Sequence, residues 1–151
     1  MEWEEYYRNI VHQVKLKSKD EKTKIGAIVV GRDGEILSTG YNSFPRGIND
    51  NIPERQVRPE KYFWFAHAEL NSIVNAARIG VSTKGSAMYV TCGIPCSDCA
   101  KAIVNAGIDK VVCETAQSAK DIRWVRHADR SLIMFEEAGV TIEYYEGTYN
   151  E

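Results

Sequence analysis

Residues 92–100 read C-G-I-P-C-S-D-C-A and hold three of the chain's four cysteines. Cys96 and Cys99 form a C-x-x-C, and such a pair supports three kinds of role. The thiols can form a redox couple, because a helix N-terminus lowers a thiol pKa. They can bind a soft cation. They can also be small buried hydrophobes with no chemistry. Spacing alone leaves all three open. Zinc takes four ligands when structural, and three plus water when catalytic, so two cysteines are an incomplete site. Cys92 and Cys113 could complete an all-cysteine set, but each ends an apolar strand-like run, where cysteine usually packs in a core.

Of the three histidines, His12 and His127 fall inside long helical patterns and read as surface or packing residues. His67 is different. It opens a helical run and is followed two positions later by Glu69, in H-A-E. One helix and one strand lie between His67 and Cys96, which brings the chain back alongside. His67, Cys96 and Cys99 can then meet as three ligands with a fourth position open to water, the pattern of catalytic zinc, Zn2+. Two thiolates and a neutral imidazole offset the dication, and water bound there approaches a pKa of about 7. Glu69 is too near His67 to be a fourth ligand and belongs beside the water. The chemistry this allows is attack on a carbon bearing an amine, with Glu69 passing protons to a ring nitrogen and to the departing ammonia. Such general acid–base transfer is worth about 10² to 10⁴-fold. The bland reading of Glu69 is an acid favoured by the helix dipole.

The elements that must hold these residues follow from periodicity. Residues 2–18 space Trp3, Tyr6, Tyr7, Ile10, Val11, Val14 and Leu16 near a helical repeat. I-G-A-I-V-V, residues 25–30, reads as a buried strand. G-R-D-G turns, and E-I-L-S-T-G-Y returns as its hairpin partner. Residues 43–66 carry Pro45, Gly47, Pro53 and Pro59 and read as a long irregular loop, the kind that is functional or an interface. A helix then runs from His67 to Gly80, a strand over 86–92, and a helix from near Pro95 to Gly107. K-V-V-C, residues 110–113, is a short buried strand. A helix over 119–138 and a strand over 140–145 close the chain. Strands alternating with helices predict right-handed crossovers and a three-layer α/β/α sandwich around five strands. The ligands then sit at helix N-termini at one end of the sheet, where α/β folds place their sites.

Composition narrows the partners. The chain has 151 residues, 44% hydrophobic and 26% charged, with a formal net charge of -2, which suits one domain over 1–151. The acidic balance argues against a polynucleotide partner, whose phosphates call for a basic face. No apolar run approaches the roughly 20 residues of a membrane helix, and the N-terminus lacks a signal-peptide pattern. A reducing, cytoplasmic location follows as the expectation, one in which cysteines favour metal or catalysis over disulfides.

H-A-E followed by P-C-S-D-C resembles the signature of the zinc-dependent cytidine and deoxycytidylate deaminase superfamily. Three stretches resemble its deoxycytidylate (dCMP) deaminases in particular: G-Y-N-S-F-P-R-G at 40–47, H-A-E-L-N-S-I at 67–73, and M-Y-V-T leading to P-C-S-D-C-A-K-A-I. The resemblance implies a cytidine deaminase-like fold with a mixed sheet, zinc on His67, Cys96 and Cys99, and proton shuttling by Glu69. It implies a sugar-hydroxyl contact from Asn42, whose bland role is a turn after the strand. Some relatives carry a second Cys/His zinc cluster before H-A-E. Residues 43–66 have neither type, so one zinc is expected. Ser43 stands where the family has Gly, which changes the expected path of the loop.

The implied reaction is deamination of dCMP to dUMP, the precursor for thymidylate. A monophosphate needs cations near its 5′ end, and Lys24 and Arg46 are the first candidates, ahead of Arg58, Lys61, Arg123 and Arg126. Trp124 reads as core. Arg78 matches an arginine near an intersubunit effector region in relatives, or is a helix C-terminal charge. The resemblance further implies a homo-oligomer, often a hexamer, activated by dCTP with Mg2+ and inhibited by dTTP. The alternatives are a deaminase of free cytosine, cytidine or guanine, a tRNA adenosine deaminase, and a non-catalytic zinc module. A short connection before H-A-E and basic surfaces would mark the tRNA enzymes, whereas intact Glu69 argues against the inert module.

Overall fold

The computed structural model describes residues 1–115 and 122–145, with the side chains of Ile122 and Arg123 outside that description. Its organising strand is β1 (Gly26–Val30), all five residues of which are buried. A strand covered on both faces needs no polar alternation, which is why this segment is an unbroken apolar run. β2 (Ile36–Tyr41) returns antiparallel through a turn in which Gly34 takes φ 90°. β3 (Ala87–Val90) pairs antiparallel with the other edge of β1, and β4 (Lys110–Cys113) and β5 (Thr141–Tyr144) follow in parallel. The order β2-β1-β3-β4-β5 is the expected five-stranded mixed sheet.

Alternation along β1 divides the core. Ala27 and Val29 join the cluster containing Ala68, Ala100, Ile103 and Phe135, from helices α3 (Ala68–Ile79), α4 (Ser97–Asn105) and α5 (Ile122–Ala138). Ile28 and Val30 face Tyr7 and Val11 of α1 (Trp3–Lys15). The layers are therefore α1, the sheet, and the α3–α5 group. Two glycines permit close approach. A Cβ on Gly26 would lie 2.6 Å from the Val11 carbonyl oxygen of α1. A Cβ on Gly40 would lie 2.4 Å from the Ser72 nitrogen and 2.8 Å from the Ala68 oxygen. The first turn of α3 thus rests directly on the backbone of β2.

The start of α4 and the make-up of the 43–66 stretch differ from the sequence reading. The helix expected near Pro95 starts at Ser97, with Cys96 as its N-cap, so Pro95 precedes the helix instead of opening it. The expected irregular stretch contains a 3-10 turn (Pro53–Gln56) and a single helical turn, α2 (Lys61–Trp64). Its ends are joined by paired hydrogen bonds, Ser43 N to Ala66 O at 3.1 Å and Ala66 N to Ser43 O at 2.8 Å. Ser43 therefore closes the base of a compact loop. The first residues expected in the late helix, 119–121, lie outside the described residues.

Candidate metal centre and its cavity

His67 and Cys96 occupy equivalent positions, the N-caps of α3 and α4, both with extended backbone. Neither side chain makes the usual capping bond to its own helix. Both turn instead toward Cys99, one turn into α4. His67 Nδ1 lies 3.4 Å from Cys96 Sγ and 3.5 Å from Cys99 Sγ, and the three donor atoms lie within 4.8 Å of one another. Tetrahedral zinc, about 2.3 Å from sulfur and 2.0–2.1 Å from nitrogen, sets such S···N separations at roughly 3.5 Å. The donor set and its spacing therefore fit the ion. The Cys99 thiol bonds to Cys96 and brings it down to about 4 against burial, with His67 adding to the effect. Cys99 moves up in turn. His67 rises to about 9, chiefly through its bond to Cys96. One sulfur of the pair, that of Cys96, is thus already favoured as thiolate, the form a metal needs.

Glu69 is the second residue of α3 and is 4% exposed. Burial pushes its carboxyl up, opposed mainly by His67. It lines a cavity of about 370 Å³ together with His67 and Cys96, a size suited to a small ligand. The apolar and aromatic walls come from Ile25, Phe65, Ile94 and Trp124.

Asn42 lines the same cavity, but most of its amide is committed. Its Oδ1 accepts from Ile25 N at 2.9 Å, and its Nδ2 donates to Thr23 O at 2.8 Å and Asp20 Oδ2 at 3.3 Å. One lone pair on Oδ1 is left for a ligand hydroxyl. Asp20 in turn holds Lys61 of α2 at 2.7 Å, with both side chains mostly buried. Burial pushes the Asp20 carboxyl up, but Lys61 and the amides of Lys22 and Thr23 outweigh it and hold it below its ordinary 3.8.

The expected cations divide differently. Arg58 and Lys61 line the cavity, while Lys24 and Arg46 do not. Lys24 is exposed on the segment leading into β1. Arg46 follows Phe44, which is buried against Phe65. The chain then turns outward, and Arg46 Nη2 donates to Asn75 Oδ1 at 2.9 Å. It shares a separate groove with Arg78 along β2 and α3. Arg126 is exposed, and the side chain of Arg123 lies outside the described residues. Trp124 is a cavity wall, its ring 6.2 Å from that of His67, in place of the core role expected for it. Cys113 is fully buried in the core, whereas Cys92 both packs against that core and lines the cavity. His12 pairs with Glu114 at 2.7 Å, away from the cavity. Sequence reasoning missed Asp20 and Tyr62 as lining residues. Asp20 gave a faint signal, as an acid in a polar run just before a buried strand.

Comparison with known proteins gives the same direction. The sequence pattern of the cytidine and deoxycytidylate deaminase zinc-binding region matches residues 1–115. Human deoxycytidylate deaminase is 33% identical over 96% of this chain and 80% of its own length. The corresponding protein of enterobacteria phage T2 is 36% identical over 74% of this chain and 79% of its own. The crystal structure of dCMP deaminase from cyanophage S-TIM5, in complex with dCMP and dUMP, superposes with a TM-score of 0.74 at 29% identity. That match covers 93% of this chain and 95% of the other. With His67, Glu69 and Cys96 lining one cavity and Cys99 within ligand distance of the first and last of them, this chain belongs to the cytidine and deoxycytidylate deaminase family.

Proposed function

We propose that this chain, as one domain over 1–151, hydrolyses dCMP to dUMP and ammonia, supplying dUMP for thymidylate synthesis. The observation that carries the reading is the convergence of His67, Cys96 and Cys99 beside buried Glu69 in a cavity of nucleotide scale. His67, Cys96 and Cys99 would hold Zn2+, which would supply the Lewis acidity that activates water. Glu69 takes a proton from the attacking water and delivers it to the pyrimidine N3. The same carboxyl then carries a proton to the exocyclic nitrogen, so that ammonia leaves as the C4 carbonyl forms. Asn42 Oδ1 accepts the sugar hydroxyl with its remaining lone pair. Phe65 and Trp124 wall the site against bulk water.

Charge at the cavity supports a phosphorylated substrate. Arg58 and Lys61 are better placed for the 5′-phosphate than Lys24 or Arg46, because they line the cavity. Lys61 is already paired with Asp20, which leaves Arg58 as the leading candidate. Relatives acting on dCMP support the same class. A panel of dCMP, CMP, deoxycytidine and dCTP tests this by loss of substrate absorbance. Deoxycytidine turning over as well as dCMP would refute a nucleotide substrate and favour a deaminase of free cytidine or cytosine.

The finer expectations belong to the same reading. The protein works as a homo-oligomer, a hexamer in the fullest form, with Arg78 near its effector region. dCTP with Mg2+ activates it and dTTP inhibits it. Light scattering measures the assembly, and rates with and without each triphosphate test regulation; no response to either ends that part. No described helix is long and apolar enough to cross a membrane, and all four cysteines are free. A cytoplasmic location without a membrane or polynucleotide partner is part of the same reading, and cell fractionation checks the location.

A further inference from the structure

Three residues on one face of α5, at spacings of three and four, face the ligand set: Trp124 lies beside His67, and His127 and Ser131 bond to the segment that carries the ligand cysteines. The ring of Trp124 is 5.8 Å from that of His127 and 6.2 Å from that of His67. His127 Nδ1 lies 3.1 Å from the Ser97 nitrogen and 2.7 Å from its Oγ. A backbone N–H can only donate, so Nδ1 is the acceptor and the neutral ring carries its proton on Nε2. The Ser97 hydroxyl donates to the same atom. One turn further on, the Ser131 hydroxyl donates to the Pro95 carbonyl at 2.7 Å, and Ser131 is completely buried.

These bonds fall on either side of Cys96. The first amides of a helix have no partner within it, and an N-cap side chain normally accepts from one. Cys96 is the N-cap of α4 and makes no such bond, because its sulfur faces His67 and Cys99. The Ser97 amide, the first of the unpartnered donors of α4, is taken by His127, from another helix. We propose that His127, supported by Ser131, is a positioning residue for the metal centre. It accepts the Ser97 amide and hydroxyl while Ser131 holds the Pro95 carbonyl, and together they fix the backbone on both sides of Cys96 and so set the direction of its thiolate. Ligand orientation enforced by outer hydrogen bonds generally changes metal affinity 10- to 100-fold.

The inference rests on the three-ligand reading of His67, Cys96 and Cys99, so wild-type protein is titrated with zinc first. Absence of stoichiometric binding would overturn that reading and this inference with it. Given binding, chelator competition compares wild type with His127→Ala, His127→Asn and Ser131→Ala, and the cobalt-substituted forms report thiolate coordination by absorption. His127→Ala is expected to weaken zinc binding about 10- to 100-fold and to shift the thiolate-to-cobalt bands. His127→Asn puts an acceptor oxygen where Nδ1 stood and should recover most of the affinity and the spectrum. Ser131→Ala removes a single hydroxyl and should give a smaller loss in the same direction. Unchanged affinity and spectrum in His127→Ala, or no recovery in His127→Asn, would overturn the proposal. Circular dichroism melts of each variant separate a local effect from loss of fold.

Discussion

Gly40→Ala is the perturbation that best tests how the sheet positions the metal centre. The new Cβ would sit 2.4 Å from the Ser72 nitrogen and 2.8 Å from both the Ser72 Cα and the Ala68 oxygen. All three are backbone atoms, which cannot swing aside as a side chain tip can. Ordinary contact begins near 3.4 Å, so β2 and the first turn of α3 must separate by about 1 Å. Overpacking of this kind costs about 1–3 kcal/mol. For a domain of this size that lowers the melting temperature by roughly 2–12 °C. His67 immediately precedes Ala68, so the shift also reaches the ligand set, whose tolerance is about 0.5 Å. Zinc affinity should therefore fall at least about tenfold, by analogy with the loss of other supporting contacts. Thermal melts and chelator competition measure the two effects separately. Gly47→Ala is the control. Gly47 has φ 82° and open space around its Cβ position, so it should lose about 1–2 kcal/mol to left-handed backbone strain and keep its zinc. Lost stability with unchanged zinc affinity in Gly40→Ala would mean that β2, an edge strand, moves instead, and would refute the coupling.

Glu69→Gln should keep one zinc per chain and lose about 10² to 10⁴-fold in kcat; undiminished ammonia release would remove Glu69 from the proton path. Arg58→Ala should raise KM for dCMP about 10- to 100-fold, the worth of one charge-assisted hydrogen bond. Arg46→Ala should leave it unchanged, and the reverse pattern would return the phosphate to Arg46. Lys61→Met leaves Asp20 buried without its cation, at a cost of about 2–3 kcal/mol, somewhat below that of a fully buried pair. The folded Asp20 carboxyl titrates below its ordinary 3.8, so its contribution is complete above that value and lost as pH falls through the lower folded one. The difference in melting temperature between wild type and Lys61→Met should therefore narrow as pH drops from about 5 toward 3. A difference independent of pH would show that the pair contributes nothing through its charge.

Elements with strong patterns were legible in the sequence. The unbroken apolar run of β1 and the glycine after α3 mark their elements because burial on two faces and a left-handed C-cap each demand particular residues. The ligand set was legible because H-A-E and P-C-x-x-C sit at helix starts, a position that local sequence signals. The cavity walls were not. Trp124 and His127 lie on an amphipathic helix, and its period shows which face is buried but not what that face meets. Only the crossing of α5 over the start of α4 makes His127 a neighbour of Ser97. Arg46 failed for the converse reason. It is near Asn42 in sequence, but Phe44 anchors the chain between them and sends the arginine to the far side of β2.

The proposed ligands and the proposed proton-carrying acid all lie between His67 and Cys99, in one consecutive helix-strand-helix passage of the chain. The rest of the cavity comes from elsewhere: the turn at Asp20 and Thr23, the loop bearing Arg58, Lys61 and Tyr62, and Trp124 of α5. On the proposed reading, reactivity and substrate choice are thus encoded in separable segments. The loop is pinned at its base by the Ser43–Ala66 bridge, so its interior can lengthen, shorten or change charge without moving the metal ligands. A chain built this way can acquire a new substrate by rewriting a loop while its chemistry stays in place.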